Sequence, residues 1–499
     1  MARRSPDPLG AVRPGRRPSW WLREALAADA GQPVRPLVGD TTADVAIVGG
    51  GYTGMWTAFF ITEQDPTARV VLIEQGICGG GPSGRNGGFV TSWWDELPTL
   101  VDDFGPDAAR ELGLLTDAAV GAIGDWCVDH GVDAWFRRAG YVFASAAPSQ
   151  DRAFDRLLEA CSRLGVEDAC IALTPDEVAS RCASPVLRHG VLVPGAATVQ
   201  PARLARGLRR VLLERGVTIH EGTRLVGIDR PAAGRRPGRA PAAAPNGPVE
   251  LRTDAGGVPG RIRAEQVVLG LNAWAAGWPW SDRRLVTWSS YIVLTEPIPG
   301  RLAELNWTGG EGVADARFTL HYLRTTPDGR IAIGGGGGRA GWGGRIGATF
   351  TDDAGSARLA AVGLSRFFPS LADVRIEDAW GGPIDVCDDH RPFFGTLPGG
   401  RLHFGHGYSG NGVGAAHLGG RILAALALGR SDDPLLALPI VGRGSRRFPP
   451  EPFRSIGAFV AREAIVRREQ AEDAGRPVGA PLRAMSSFPR RFGYRLGPD

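Results

Sequence analysis

The sequence predicts a mixed fold, α/β plus α+β: a Rossmann-type nucleotide-binding domain with an interleaved antiparallel-sheet domain. Three observations predict it. Residues 44–48 (Asp-Val-Ala-Ile-Val) and 69–74 (Arg-Val-Val-Leu-Ile-Glu) are short apolar runs, the pattern of parallel strands covered on both faces. A glycine turn and a helical stretch over residues 54–64 lie between them, which makes one βαβ unit with a right-handed crossover. Residues 286–294, 318–324 and 330–333 are instead rich in β-branched and aromatic side chains, the composition of an antiparallel sheet.

Taken in order, residues 1–18 hold five arginines and four prolines with almost nothing apolar and read as a disordered tail. Arg3 and Arg4 are followed by no apolar stretch, so no export signal is read. Residues 45–61 are 17 positions without a charge, short of the roughly 20 a membrane helix needs, and four glycines interrupt them. Helical spacing runs over 107–130 and 150–164. Thr174, Pro175 and Glu177 form a capping box. Pro201 opens a helix that ends at Arg215, Gly216 stops it, and a strand follows over 217–220. Residues 231–248 hold five prolines and separate strand-like pieces at 223–229 and 249–253, as a floppy insertion in a hairpin would. Residues 267–269 return to buried-strand character, and 412–428 form a helix that begins in a glycine-rich turn. The expected division is a tail and arm over 1–42 and a discontinuous nucleotide-binding domain over 43–100, 195–275 and 375–430. A substrate domain takes 101–194 and 276–374, and an extension takes 431–499.

Composition narrows the function. With 43% apolar and 22% charged residues and a net charge of +4, this is an ordinary globular chain, so neither nucleic acid nor a membrane is expected as a partner. Six cysteines without a Cys-x-x-Cys pair argue against a disulfide scaffold or zinc site and fit a reducing cytoplasm. All 57 basic residues are arginine, which excludes a P-loop lysine, a Schiff-base lysine and a lysine general base.

Gly49, Gly51 and Gly54 fit Gly-x-Gly-x-x-Gly, with Tyr52 and Thr53 inside the pattern. The motif follows a buried strand, opens a helix, and Glu74 with Gln75 ends the next strand 20 residues on. Gly49 permits the tight turn, Gly51 lets a pyrophosphate approach, and Gly54 allows close helix–strand packing. Glu74 would accept hydrogen bonds from a ribose. A second motif, Ser83, Gly84, Arg85, Asn86, Gly87 and Gly88, lets backbone approach a cofactor longer than a ribose contact needs, and Arg85 can neutralise phosphate charge. A third cluster, His406, Gly407, Tyr408, Gly410, Asn411 and Gly412, precedes a helix whose N-terminus can stabilise negative charge on a reduced flavin. Three separated glycine-rich segments suit FAD better than a nicotinamide cofactor.

On these segments, together with Asn272-Ala273-Trp274, Trp380-Gly381-Gly382 and residues 389–395, the chain resembles the FAD-dependent oxidoreductases of the D-amino-acid oxidase superfamily. Within it, the likeness is to the γ-glutamylputrescine oxidoreductase-like branch, alongside sarcosine and glycine oxidases. The resemblance implies a non-covalent FAD, with Asn272 among its contacts and Val226 near the adenine. It also implies hydride transfer from a carbon beside an amine nitrogen to flavin N5, giving an imine that hydrolyses to an aldehyde or oxo acid. Several oxidases of this superfamily place a lysine near the flavin. This chain has none, so O2 or another electron acceptor stays open.

Flavin amine oxidation needs aromatic walls and one charged anchor more than a triad. Tyr291 lies in one candidate strand. In the next, His321 shares a face with Leu323, and Tyr322 shares the other with Arg324. Arg324 can clamp a substrate carboxylate, His321 can act as base, and Tyr291 and Tyr322 can line a pocket. The carboxylates of 385–390 read as turn chemistry, and no metal is expected. Two other readings are a flavin-dependent tRNA-modifying enzyme and an FAD-binding module without catalysis. Oligomeric state is not encoded in any recognisable motif.

Overall fold

The computed structural model describes residues 7–10, 12, 14–15, 17–29, 31–229, 247–281, 283–335, 337–488 and 494. Most of the proline-rich insertion expected at 231–248, and residues 1–6, lie outside them. Two eight-stranded sheets organise the chain.

The first sheet is the Rossmann-type one. Gly39–Val48 pairs in parallel with Val70–Ile73 on one side and Val258–Leu269 on the other. Thr218–His220 extends it beyond Val70–Ile73, and Leu402–His406 beyond Val258–Leu269, both in parallel. The strands at its centre are buried on both faces, which explains why their sequences alternate so little. The helices Tyr52–Gln64, Pro201–Glu214 and Val413–Ala427 belong to this half of the chain, and the first and last pack on one another. Two antiparallel strands, Arg224–Asp229 and Val249–Ala255, continue this sheet from Val258–Leu269.

The second sheet runs Ile376–Val386, Val286–Thr295, Ile331–Gly335, His321–Thr325, Gly312–Asp315, Tyr141–Ala144, Gly190–Val193, Ile171–Leu173. All its pairs are antiparallel except Gly312–Asp315 with Tyr141–Ala144. Residues 375–430 therefore divide: Ile376–Val386 joins the antiparallel sheet, whereas Phe393–Thr396, Leu402–His406 and Val413–Ala427 go to the first half. Thr174 accepts from Glu177 N while the Glu177 carboxylate accepts from Thr174 N, completing the box that opens Pro175–Ala179.

Residues 7–29 correct the reading of the N-terminus as a disordered tail. Leu9 is buried in the core behind the antiparallel sheet, and Asp7 pairs with Arg358 at 3.0 Å. The helix Trp20–Ala28, capped by Ser19, buries Trp21, Leu22 and Ala25. Few apolar residues are needed to dock an arm, so low apolar content did not betray it. No helix among the described residues is long and apolar enough to cross a membrane.

Candidate functional site

The strand Gly39–Val48 ends at the glycine turn, and the helix Tyr52–Gln64 starts directly from it with Gly51 as N-cap and no capping side chain. A Cβ on Gly49, at φ +113°, would lie 2.4 Å from Gly270 O, and one on Gly54 would lie 2.1 Å from Gly49 O. A side chain at either position would therefore force the turn to shift. The turn brings the helix N-terminus, the positive end of its dipole, to the edge of a cavity. That cavity, of about 750 Å³, is continuous past all three glycine-rich segments.

Glu74 stands at one end. Its carboxylate accepts from Gly50 N at 2.9 Å and Gly76 N at 2.8 Å, and burial raises its pKa. Two backbone donors leave lone pairs for ribose hydroxyls on the cavity side. Ser83 Oγ accepts from Tyr52 N at 2.9 Å, tying the second motif to the helix start. Asn86 closes its own loop by accepting from Gly88 N at 2.7 Å and donating to Pro82 O and Ser83 O. At the other end Tyr408 O accepts from Asn411 N, and Thr53 Oγ1 donates to the Tyr408 hydroxyl at 2.9 Å.

Gly49, Gly51, Tyr52, Thr53, Glu74, Gln75, Ser83, Arg85, Asn86, Gly87, Asn272, Tyr408, Gly410 and Gly412 all line the cavity. Other expected contacts stand behind it. Gly54 packs helix on turn, and Gly84 and Gly88 press against Gly79 O and Val199 O, 2.1 Å from where a Cβ would sit. Gly407 N donates to Asp385 at 2.6 Å, and Asn411 accepts from Thr91 Oγ1 at 2.8 Å. His406 does not line the cavity. It is buried and stacked between Trp280, at 5.1 Å, and Phe404, at 5.3 Å, and burial lowers its pKa to about 3. Val226 is 44% exposed on its strand, whereas Thr223, Arg224 and Leu225, where the chain enters that strand, line the wall. Sequence reasoning also missed Pro18, Leu22, Phe89, Trp278 and Ile384. None of these carries a polar signature. Only their place beside a motif or on the N-terminal arm could have pointed to them.

The four candidates for chemistry fare unevenly. The Tyr291 hydroxyl donates to Thr349 O at 2.7 Å, away from the cavity. His321 Nδ1 lies 3.1 Å from Asp315 and its ring packs on Phe367, so it is a structural histidine. Arg324 is buried without a carboxylate partner, donating to Gly88 O at 3.2 Å and to Val199 O, with its pKa lowered to about 9 by burial. It clamps the second glycine loop from behind and has no reach for a substrate carboxylate. Tyr322 alone sets its ring against a cavity-lining ring, Phe89, edge-on at 5.6 Å, with its hydroxyl 2.9 Å from Ser290 Oγ.

Residues 44–426 match the family described as FAD dependent oxidoreductase. The chain belongs to that family. It is an FAD-dependent oxidoreductase, and the cradle just described fits FAD: a carboxylate at one end, an open helix N-terminus at a turn no side chain can enter, and a long continuous cavity. The chain is 29% identical over 441 residues to the "probable oxidoreductase OrdL" of Rhizobium meliloti, covering 86% of this chain and 93% of that one. It is 27% identical over 439 residues to the γ-glutamylputrescine oxidoreductase of Escherichia coli, covering 87% and 95%. The glycine oxidase of Geobacillus kaustophilus has the same fold, with a TM-score of 0.63 at 20% identity, covering 81% of this chain and 99% of the oxidase.

Proposed function

We propose that this flavoprotein oxidises a C–N bond in a primary or secondary amine or an N-substituted amino acid, and that the imine product hydrolyses to an aldehyde or oxo acid. The observation that carries the proposal is the single cavity joining Glu74, the Gly51 helix start and residues 408–413, in a chain of this family. Bound FAD supplies the two-electron acceptor for the hydride that leaves the carbon. Glu74 would hold the ribose, and the N–H groups of the first turn of Tyr52–Gln64 would hold the phosphates, with Asn86 shaping the second loop beside them and Arg85 adding positive charge from the cavity wall. Phe89, backed by Tyr322, and Ile384 form an apolar wall. Such a wall disfavours an ammonium ion, so it favours the neutral amine from which hydride can leave.

Arg85 spends its guanidinium on Gly80 O and Gly381 O, and Arg324 spends its own on the second loop, so no carboxylate anchor is assigned to either. The substrate class therefore includes amines without an adjacent carboxylate, in keeping with the relative that acts on γ-glutamylputrescine. The six cysteines, all unpaired, support a cytoplasmic setting.

The test is anaerobic mixing of the FAD-loaded protein with diamines, N-acylated diamines, N-methylated amino acids and free amino acids. An amine that bleaches the flavin band is expected. If dithionite bleaches the band and no amine does, the amine reading is overturned. Admitting air to the bleached enzyme then separates the acceptors: peroxide with rapid reoxidation marks an oxidase, and slow reoxidation with fast dye reduction marks a dehydrogenase.

A further inference from the structure

The helix Phe453–Asp473 grips the body along one face. Ala461, Ala464, Ile465 and Glu469 are buried, Glu469 accepts from Thr319 N at 3.1 Å, and Arg462 donates to Gly337 O and Gly338 O at 2.9 and 2.7 Å. The opposite side of its first two turns is apolar and uncovered. Phe453, Ile456, Phe459 and Val460 are 69%, 54%, 62% and 42% exposed. Trp342, 58% exposed, stands at the same end, because Gly343 N donates at 3.0 Å to Glu451, just ahead of the helix. Single exposed apolar side chains need no explanation. Five large ones gathered at one end of a helix mark a surface that meets something.

Charge says what it meets. Residues 443–499 carry 12 arginines against six carboxylates, while the 442 residues before them carry 45 against 47. The positive excess of the whole chain therefore sits in the segment that bears the apolar stripe. Arg467 continues that stripe, and Arg345 and Arg446 are exposed beside Trp342 and ahead of the helix.

We infer that this face lies on an anionic lipid surface, with the start of the helix in the plane of the interface. The four helix side chains and Trp342 enter the headgroup–acyl boundary, and the arginines meet the headgroups. A helix lying on a bilayer needs one apolar face with basic flanks and no span, and Trp and Phe suit that depth. A second copy docked about a two-fold axis would set one arginine-rich rim against another. A nucleic acid would use the arginines and leave the apolar stripe in water.

The test sediments the full-length, FAD-loaded protein with vesicles of phosphatidylcholine alone or containing one-third phosphatidylglycerol. Capture by the anionic vesicles, about tenfold weaker on phosphatidylcholine, is expected. The double variant Phe453→Ser/Phe459→Ser should lose about tenfold in partitioning while keeping its flavin and its amine turnover. Equal capture of variant and parent by anionic vesicles would reduce the effect to arginine attraction and overturn the inference. No capture, with a concentration-dependent dimer that the double variant abolishes, would assign the face to a second copy. No capture with salt-sensitive RNA binding would assign it to nucleic acid.

Discussion

Asp385 is fully buried behind the Asn272 and Tyr408 end of the cavity, and its two oxygens are divided between two parts of the wall. One accepts from Asn272 Nδ2 at 2.9 Å, the other from Gly407 N at 2.6 Å, so one carboxyl sets both the Asn272 turn and the 407–412 loop. Burial raises its pKa from 3.8 to about 7. Because the folded value lies above the unfolded one, its contribution to stability is fully present below about pH 4 and is lost as pH rises through 7. The slope is at most about 1.4 kcal/mol per pH unit. Asp385→Asn removes the titration, so urea denaturation from pH 4 to 8 should show parent stability falling relative to the variant across that window. Parallel curves would mean that Asp385 titrates as an ordinary surface acid. At this scale the sequence was only half legible. It placed Tyr322 and Arg324 on one strand face, but period-two alternation says nothing about depth, and Arg324 proved to be sealed under its own glycine loop. His406 misled for a related reason: a histidine in a glycine cluster looks like a ligand, whereas aromatic neighbours from 280 and 404 enclose it.

Elements were more legible, because their signals are local. The strand–glycine–helix unit at 44–74 is set by buried apolar runs and a turn that leaves no room for a Cβ at Gly49 or Gly54 without a shift. Within the extension at 431–499 the helix Phe453–Asp473 docks by one face, and the sequence did not say which. Gly54→Ala tests the turn. The added carbon would sit 2.1 Å from Gly49 O, a backbone atom of the same turn, so the helix start must move away from the strand. A cost of roughly 1–3 kcal/mol in stability is expected from such overpacking, together with purified protein that retains much less flavin. Gly347→Ala, where no heavy atom lies within 4 Å of the new carbon, is the control and should keep its full flavin content. Full flavin in Gly54→Ala as well would show that the turn is not what holds the cofactor.

Across the whole molecule, the arm at 7–29 ties the two sheets to the second glycine loop, and this was hidden in the sequence because each contact uses a single residue. Ser19 Oγ donates to Gly84 O at 2.5 Å, and Gln200 Nε2 donates to Trp21 O at 2.7 Å. Trp21 packs edge-on against Trp380 of the antiparallel sheet at 5.8 Å and receives the Arg324 guanidinium on its face at 5.6 Å. Glu24 pairs with Arg203 at 2.5 Å on the nucleotide-binding side, while Arg17 pairs with Asp378 at 2.9 Å on the other. Pro18 and Leu22 close the cavity itself. Deleting residues 1–29 would expose Trp380 and Arg324 and unpin Gly84, and losing a fully buried tryptophan alone costs about 3–5 kcal/mol. The truncated protein should therefore melt several degrees lower and bind FAD at least about tenfold more weakly, since 1.4 kcal/mol already corresponds to a factor of ten. Trp21→Phe in the full-length chain, which keeps an aromatic face under Arg324, should lose far less. If the truncated chain matched the parent in both melting temperature and flavin affinity, the arm would be a passive wrapping and the two sheets would hold the cofactor loop without it.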